Sequence, residues 1–170
     1  GLLAGINAAQ KAICKDKDFI VDRASGYLGV MVDDLVTRHI TEPYRMFTSR
    51  AEYRLRLRAD NADGRLTPLG IALGCVGSRR AALFNAKNHR LTETEAKFRE
   101  LRASPSHLSK FCISVNQDGT PRSLYSLLGR REVGYSELGE VWPEIKDAPT
   151  DIIEHIKTNS LYESYIERQD

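Results

Sequence analysis

Cysteine, methionine and tryptophan are scarce in this chain of 170 residues, at three, two and one. Cys14, Cys75 and Cys112 lie far apart, and their odd total excludes the disulfide framework of a small secreted domain. A reducing compartment is the default. His39, His89, His107 and His155 are equally dispersed, so no local Cys and His group has the spacing of a zinc site and no metal is assigned. Apolar runs are short, and none approaches the roughly 20 residues of a membrane-crossing helix. An excess of one charge sign is also missing, because 25 basic residues face 23 acidic ones for a net +2. A role with nucleic acid therefore has to come from local clustering. No G-x-G-x-x-G or G-x-S-x-G motif is present, which leaves a phosphate-cradling loop and a nucleophile elbow without support.

Hydrophobic residues at 41% and charged residues at 28% describe an ordinary globular chain with enough length for a sizeable core. The sequence opens on Gly1 rather than Met and has no basic stretch ahead of its apolar one, so a piece of something longer is expected. Leu2, Leu3, Ile6, Ala9 and Ile13 recur at helical spacing among small residues and predict a buried helix already under way at residue 1. After the polar CKDKD break, Tyr27, Val30, Met31, Asp34 and Leu35 suit a second short helix. Thr67 and Pro68 read as the N-cap and first position of a helix through Leu73, closed by Gly74 and Gly77. Ser78 reads as the N-cap of the longest helix, reaching about Ala103 before Pro105 stops it, with Phe84, Leu91, Phe98 and Leu101 on one side. Further helical patterns occupy residues 123–128, 150–157 and 161–170, so the second half is mostly helical.

The densest chemistry lies between Arg38 and Arg58. Six arginines (Arg38, Arg45, Arg50, Arg54, Arg56 and Arg58) stand there against Glu42 and Glu52, a local charge of +4. Guanidinium groups match phosphate, and Tyr44, Phe47 and Tyr53 interleave faces on which bases or a flavin could stack. The competing reading pairs these arginines with Asp33, Asp34, Asp60 and Asp63 in a structural network. Ser49 and Glu52 have the spacing of a capping box, whereas Tyr53, Leu55 and Leu57 alternate with arginines as in a half-exposed strand. The capping box favours a helix from Ser49, followed by a DNADG turn. Asp33 and Asp34, adjacent on a helix, diverge too far for a facing acid/base pair, and arginine pairing or N-capping suits them better.

Glu42 to Gly70, EPYRMFTSRAEYRLRLRADNADGRLTPLG, closely resembles the signature of the MnmG (GidA) family of tRNA-modifying flavoproteins. So do GLLAGINAA at Gly1 to Ala9 and GYLGVMVDDLVT at Gly26 to Thr37, in the family's order. The match loosens after residue 75, where a long helix and the closing LYESYIERQD are similar to family features. The resemblance implies a mainly α fold, with residues 1–66 the tail of a Rossmann-like FAD domain and residues 67–170 a helical domain. It also implies FAD and NADH as cofactors, and an activity that builds a carboxymethylaminomethyl or aminomethyl group on carbon 5 of wobble uridine. Its implied partners are tRNA, a second copy of the full-length protein, and the GTPase MnmE, bound through a terminal bundle beyond Asp170. The implied location is cytoplasmic, or organellar in a eukaryote, with no membrane association. Gly1 and Leu2 would lie within reach of FAD, and Arg45, Arg50, Arg54 and Arg58 would form a tRNA-binding or active-site cluster. Catalytic residues and most of the cofactor site would lie upstream, leaving the isolated chain inactive. The alternative is a non-catalytic helical module for tRNA docking or protein association.

Overall fold

The computed structural model describes residues 1–13, 18–39 and 41–166, and the chain divides into two compact units, Gly1–Ala81 and Ala82–Asp170. Cys14 and the last four residues of the closing segment lie outside the described residues. The elements are almost all helical, in agreement with the mainly α expectation.

The first unit contains α1 (Leu2–Ala12), α2 (Tyr27–Thr37) and α3 (Ala62–Leu73), with a 3-10 turn at Thr48–Arg50. Helix α1 forms where its alanines and leucines predict it, but the expected burial is not found. Gln10 is its one buried residue, and Leu2 is 68% exposed. Polar ties hold the helix instead: the Asn7 side chain accepts from the Phe19 N–H at 2.7 Å and donates to its carbonyl at 3.1 Å. The Gln10 amide donates to the Leu73 carbonyl at 3.4 Å. Helix α2 starts at an extended Gly26 and is pressed against the chain before it. A Cβ added at Gly29 would lie 1.9 Å from the Asp22 carbonyl oxygen, so only glycine permits this approach. A small core of Val30, Ala51 and Leu57, flanked by Tyr27 and Tyr53, joins α2 to the arginine-rich segment.

Two expectations for this unit are corrected. No regular helix or strand runs from Ser49. The segment makes one 3-10 turn and then a tight turn in which the Leu57 N–H reaches the Tyr53 carbonyl at 2.9 Å. Helix α3 starts at Ala62, six positions before Pro68, so Asp60 and Asn61 of the DNADG segment do form a turn, while Ala62, Asp63 and Gly64 supply the helix's first turn. The hydroxyl of Thr67, read as an N-cap, donates to the Asp63 carboxylate at 2.6 Å. Pro68 sits inside the helix and forfeits the bond to the Gly64 carbonyl, a loss made tolerable because Gly64 is exposed to water. Gly74, left-handed at φ 80°, ends the helix.

Helix α4 (Ser78–Glu100) is the longest element, as its stripe predicts, with Phe84 and Phe98 buried and Leu91 packed on the core. It ends at Glu100, three residues short of the expected Ala103, because Arg102–Ala103 (β1) pairs antiparallel with Arg122–Ser123 (β2). Pro105 does not stop a helix but opens one. Ser104 accepts the His107 N–H at 3.3 Å, and Pro105 takes the first turn of α5 (Pro105–Ser109). Helix α6 (Leu124–Leu128) follows a serine cap of the same kind at Ser123. Helix α7 (Tyr135–Val141) begins where the Gly134 N–H donates to the Glu137 carboxylate at 3.2 Å. The patterns read at 150–157 and 161–170 join, over their described residues, in one helix, α8 (Thr150–Ile166). The second unit's core is far larger than the first's and centres on Phe98, Leu108, Leu124, Leu127, Ile145 and Ile156.

Candidate nucleic-acid interface

Asp34 anchors the site. It lies on the inner face of α2, fully buried, and a lone carboxylate there would be expensive without partners. Arg23, in the turn before α2, supplies the main one. Its Nη1 sits 2.8 Å from Asp34 and 2.9 Å from Asp33, while its Nε and Nη2 grip Glu52 at 3.1 and 2.8 Å. Nη2 also donates to the Arg50 carbonyl at 2.9 Å. One guanidinium thereby ties α2 to the chain at residues 50–52, using the fork geometry that a lysine lacks. Arg38 Nε at 3.1 Å, Arg50 Nη1 at 3.5 Å and the Tyr44 hydroxyl at 3.1 Å complete the shell around Asp34.

The ionisation follows from this geometry. Hydrogen bonding from Arg23 holds Asp34 below its usual carboxylate range, and the effect outweighs the burial that pushes the other way. Arg23 depresses Glu52 in the same manner and is itself held more firmly protonated. The Tyr44 phenol is raised, first by burial and then by its bond to the Asp34 carboxylate. The network is charged on both sides, and a proton-transfer pair is absent among these groups.

The arginine cluster divides by what each side chain meets. Arg50 is half-buried, stacks 4.9 Å from the Tyr44 ring centroid and faces Asp34, while its Nε is buried without a hydrogen-bond partner. Arg58 is held by Asp60 at 3.0 Å and by the Leu55 carbonyl at 2.9 Å. Arg45 and Arg54 stand apart from both. Each is exposed and makes no ion pair among the described residues, and Arg45 leans over the Phe47 ring at 5.9 Å. Phe47 and Met46 are exposed beside them. The result is a strip of chain whose paired arginines fix its course and whose exposed ones face water. Arg23 is the residue that sequence reasoning missed. It lies outside the basic cluster, and only its position ten and eleven residues ahead of two aspartates hints at the pairing.

Gly1 and Leu2, the expected cofactor contacts, sit at the exposed start of α1, which no side chain caps. Both line a shallow cavity of about 370 Å³ shared with Leu73 and Gly74. Leu2 also borders an apolar cavity of about 490 Å³, walled by Tyr27, Leu57, Arg58, Arg65 and Leu69 among others. Among the described residues no group of His, Cys, Asp or Glu is placed to hold a metal ion, and no helix is long and apolar enough to cross a membrane.

Residues 78–170 match the family model described as the tRNA modifying enzyme MnmG/GidA C-terminal helical domain. Over its entire length the chain is 41% identical to the tRNA uridine 5-carboxymethylaminomethyl modification enzyme MnmG of Granulibacter bethesdensis and covers 27% of that protein. Against the protein of the same name from Chloroflexus aurantiacus the identity is 42%, again over the whole chain, with 26% of the relative covered. The crystal structure of Aquifex aeolicus GidA (form II) superposes with a TM-score of 0.79 at 33% identity, over 98% of this chain and 26% of that one. The chain thus spans about a quarter of the length of the relatives it matches, and it belongs to the MnmG/GidA family.

Proposed function

We propose that this chain is part of a flavin-dependent enzyme that installs a carboxymethylaminomethyl or aminomethyl group on carbon 5 of wobble uridine in tRNA. The observation that carries the reading is the 41% identity, across all 170 residues, to an enzyme named for that modification. Within the reading, residues 1–66 end the FAD-binding domain and residues 67–170 form the helical domain. Arg45 and Arg54 hold tRNA phosphates, and Arg50 and Arg58 keep the strip in shape, because among the described residues the first two have no carboxylate partner and the second two do. MnmE and a second copy of the full-length protein are its partners.

The residues present fit one edge of an FAD and no more. Gly1 and Leu2 line the shallow cavity of about 370 Å³ beside α1, where one edge of the cofactor would rest. When bound, FAD would supply the redox chemistry, with NADH as the reductant. The part of this chain is to line that edge of the cofactor and to hold the RNA.

The test is complementation of a strain lacking the enzyme, followed by mass spectrometry of tRNA nucleosides. The gene carrying Arg45→Gln and Arg54→Gln should restore much less modified wobble uridine than the wild type at equal protein level. Full restoration by that variant would remove both arginines from the RNA contact. Failure of the wild-type gene to restore any modified uridine would refute the assigned activity.

A further inference from the structure

A second cationic site is built into the unit of residues 82–170, in a cleft of about 120 Å³ where the end of α6 meets the middle of α8. Its walls include Arg130, Arg131 and Lys157 and, among the described residues, no acidic residue. Among the described residues none of the three forms an ion pair, whereas Arg99, Arg122 and Lys146 in the same unit each hold a carboxylate. The surface of the cleft is apolar, from Leu128, Leu161 and the aliphatic parts of its long side chains, so an anion held by the neighbouring guanidinium and ammonium groups would lie beside low-dielectric surface.

The cleft is also fixed in shape. A Cβ at Gly129 would fall 2.6 Å from Ser160 Oγ and 2.9 Å from its carbonyl carbon, so only glycine lets the end of α6 lie this close to α8. The Ser160 hydroxyl then donates to the Tyr125 carbonyl at 2.6 Å and locks the two helices together. Arg130 and Arg131 follow directly from that locked glycine, and Lys157 stands three residues before Ser160 on α8. The backbone that carries Arg130 and Arg131 is therefore held close to α8, which carries Lys157.

We infer that this cleft binds a backbone phosphate of the tRNA, as a contact separate from the arginine strip at residues 45–54. The inference rests on the proposed reading that the protein acts on tRNA. Phosphate is favoured over an acidic protein surface because, among the described residues, none of the exposed large apolar ones lines the cleft, and protein interfaces depend on such anchors.

The experiment measures binding of an unmodified tRNA transcript across a salt series for four proteins. They are the wild type, Arg130→Gln/Arg131→Gln/Lys157→Gln, the charge-keeping Arg130→Lys/Arg131→Lys, and Arg45→Gln/Arg54→Gln. Each phosphate contact contributes about 0.7 to 0.9 to the slope of log affinity against log salt. The triple variant should lose about 0.7 to 0.9 from that slope and bind at least about tenfold more weakly at low salt, while the lysine variant stays close to wild type. Emission from Trp142, buried in the same core, verifies the fold, and the single Arg131→Gln variant, at an exposed position, replaces the triple variant if that one unfolds. Its slope and its low-salt affinity should then fall in the same direction by less than the triple variant's. A charge-removing variant that matches the wild type while Arg45→Gln/Arg54→Gln binds weakly would overturn the cleft and leave the proposed function standing. Absence of tRNA binding by the wild type would overturn both.

Discussion

Replacing Arg23 by Met tests the frame on which the arginine strip depends. The substitution keeps most of the side-chain volume but removes the hydrogen bonds to Asp33, Asp34, Glu52 and the carbonyls of Val30 and Arg50. Breaking a buried ion pair by deleting one partner typically costs about 3–5 kcal/mol, because the other charge is left uncompensated. Here Arg38 and Arg50 still face Asp34 at 3.1 and 3.5 Å, and Glu52 is more than half exposed and can rehydrate. The expected loss is therefore smaller, about 2–3 kcal/mol for the first unit. At about tenfold per 1.4 kcal/mol, amide hydrogen exchange in α2 and in residues 50–57 should quicken by about 30- to 150-fold. Arg23→Lys, which keeps the charge but not the fork, should fall between the two. Unchanged exchange in Arg23→Met would show that Asp34 is adequately held without Arg23 and would refute the hub.

Acid should act through the same residues. Asp34 and Glu52 have folded pKa values below their unfolded ones, so their contribution is present above the ordinary carboxylate range and is lost as pH falls through and below about 4. Urea midpoints for the first unit should drop over that window in the wild type and much less in Arg23→Met, and equal pH dependence in the two would contradict the assignment. Gly29→Ala would drive a methyl group into the Asp22 carbonyl, an overpacking that costs about 1–3 kcal/mol, read by the same denaturation series. A variant as stable as the wild type would mean that α2 can move away from residues 21–22. Cys75→Ser and Cys112→Ser, both at exposed positions, should leave stability and tRNA modification within about 0.5 kcal/mol and twofold of wild type, and a loss of modification without unfolding would reveal a missed nucleophile.

Helix α4 was legible because Phe84, Leu91 and Phe98 repeat at seven-residue spacing over a stretch with no proline or glycine. Helix α2 was legible from its apolar face. The segment after Ser49 was not, since the capping-box signal assumes that Glu52 turns back to its own helix, and Arg23, 29 residues upstream, captures that carboxylate instead. Proline misled twice in opposite senses. Pro105 opens a helix because Ser104 caps it, and Pro68 lies inside one because Gly64 leaves the orphaned carbonyl to solvent. The composition of the candidate site was readable as a basic strip with aromatic residues, but its division into structural and outward arginines was not. That division depends on distances between Arg50 and Asp34 and between Arg58 and Asp60 that spacing alone does not supply.

The central claim is that a salt-bridged frame presents Arg45 and Arg54 to tRNA. The most direct measurement is the salt dependence of tRNA affinity for the wild type, Arg45→Gln/Arg54→Gln and Arg58→Gln, with a melting curve for each. Removing two phosphate-binding arginines, at about 0.7 to 0.9 each, predicts a slope lower by about 1.4 to 1.8 in the double variant with little change in melting. Arg58→Gln should lower the melting temperature and leave the slope alone. A double variant that melts early and keeps the wild-type slope would contradict the account and make the exposed arginines part of the frame.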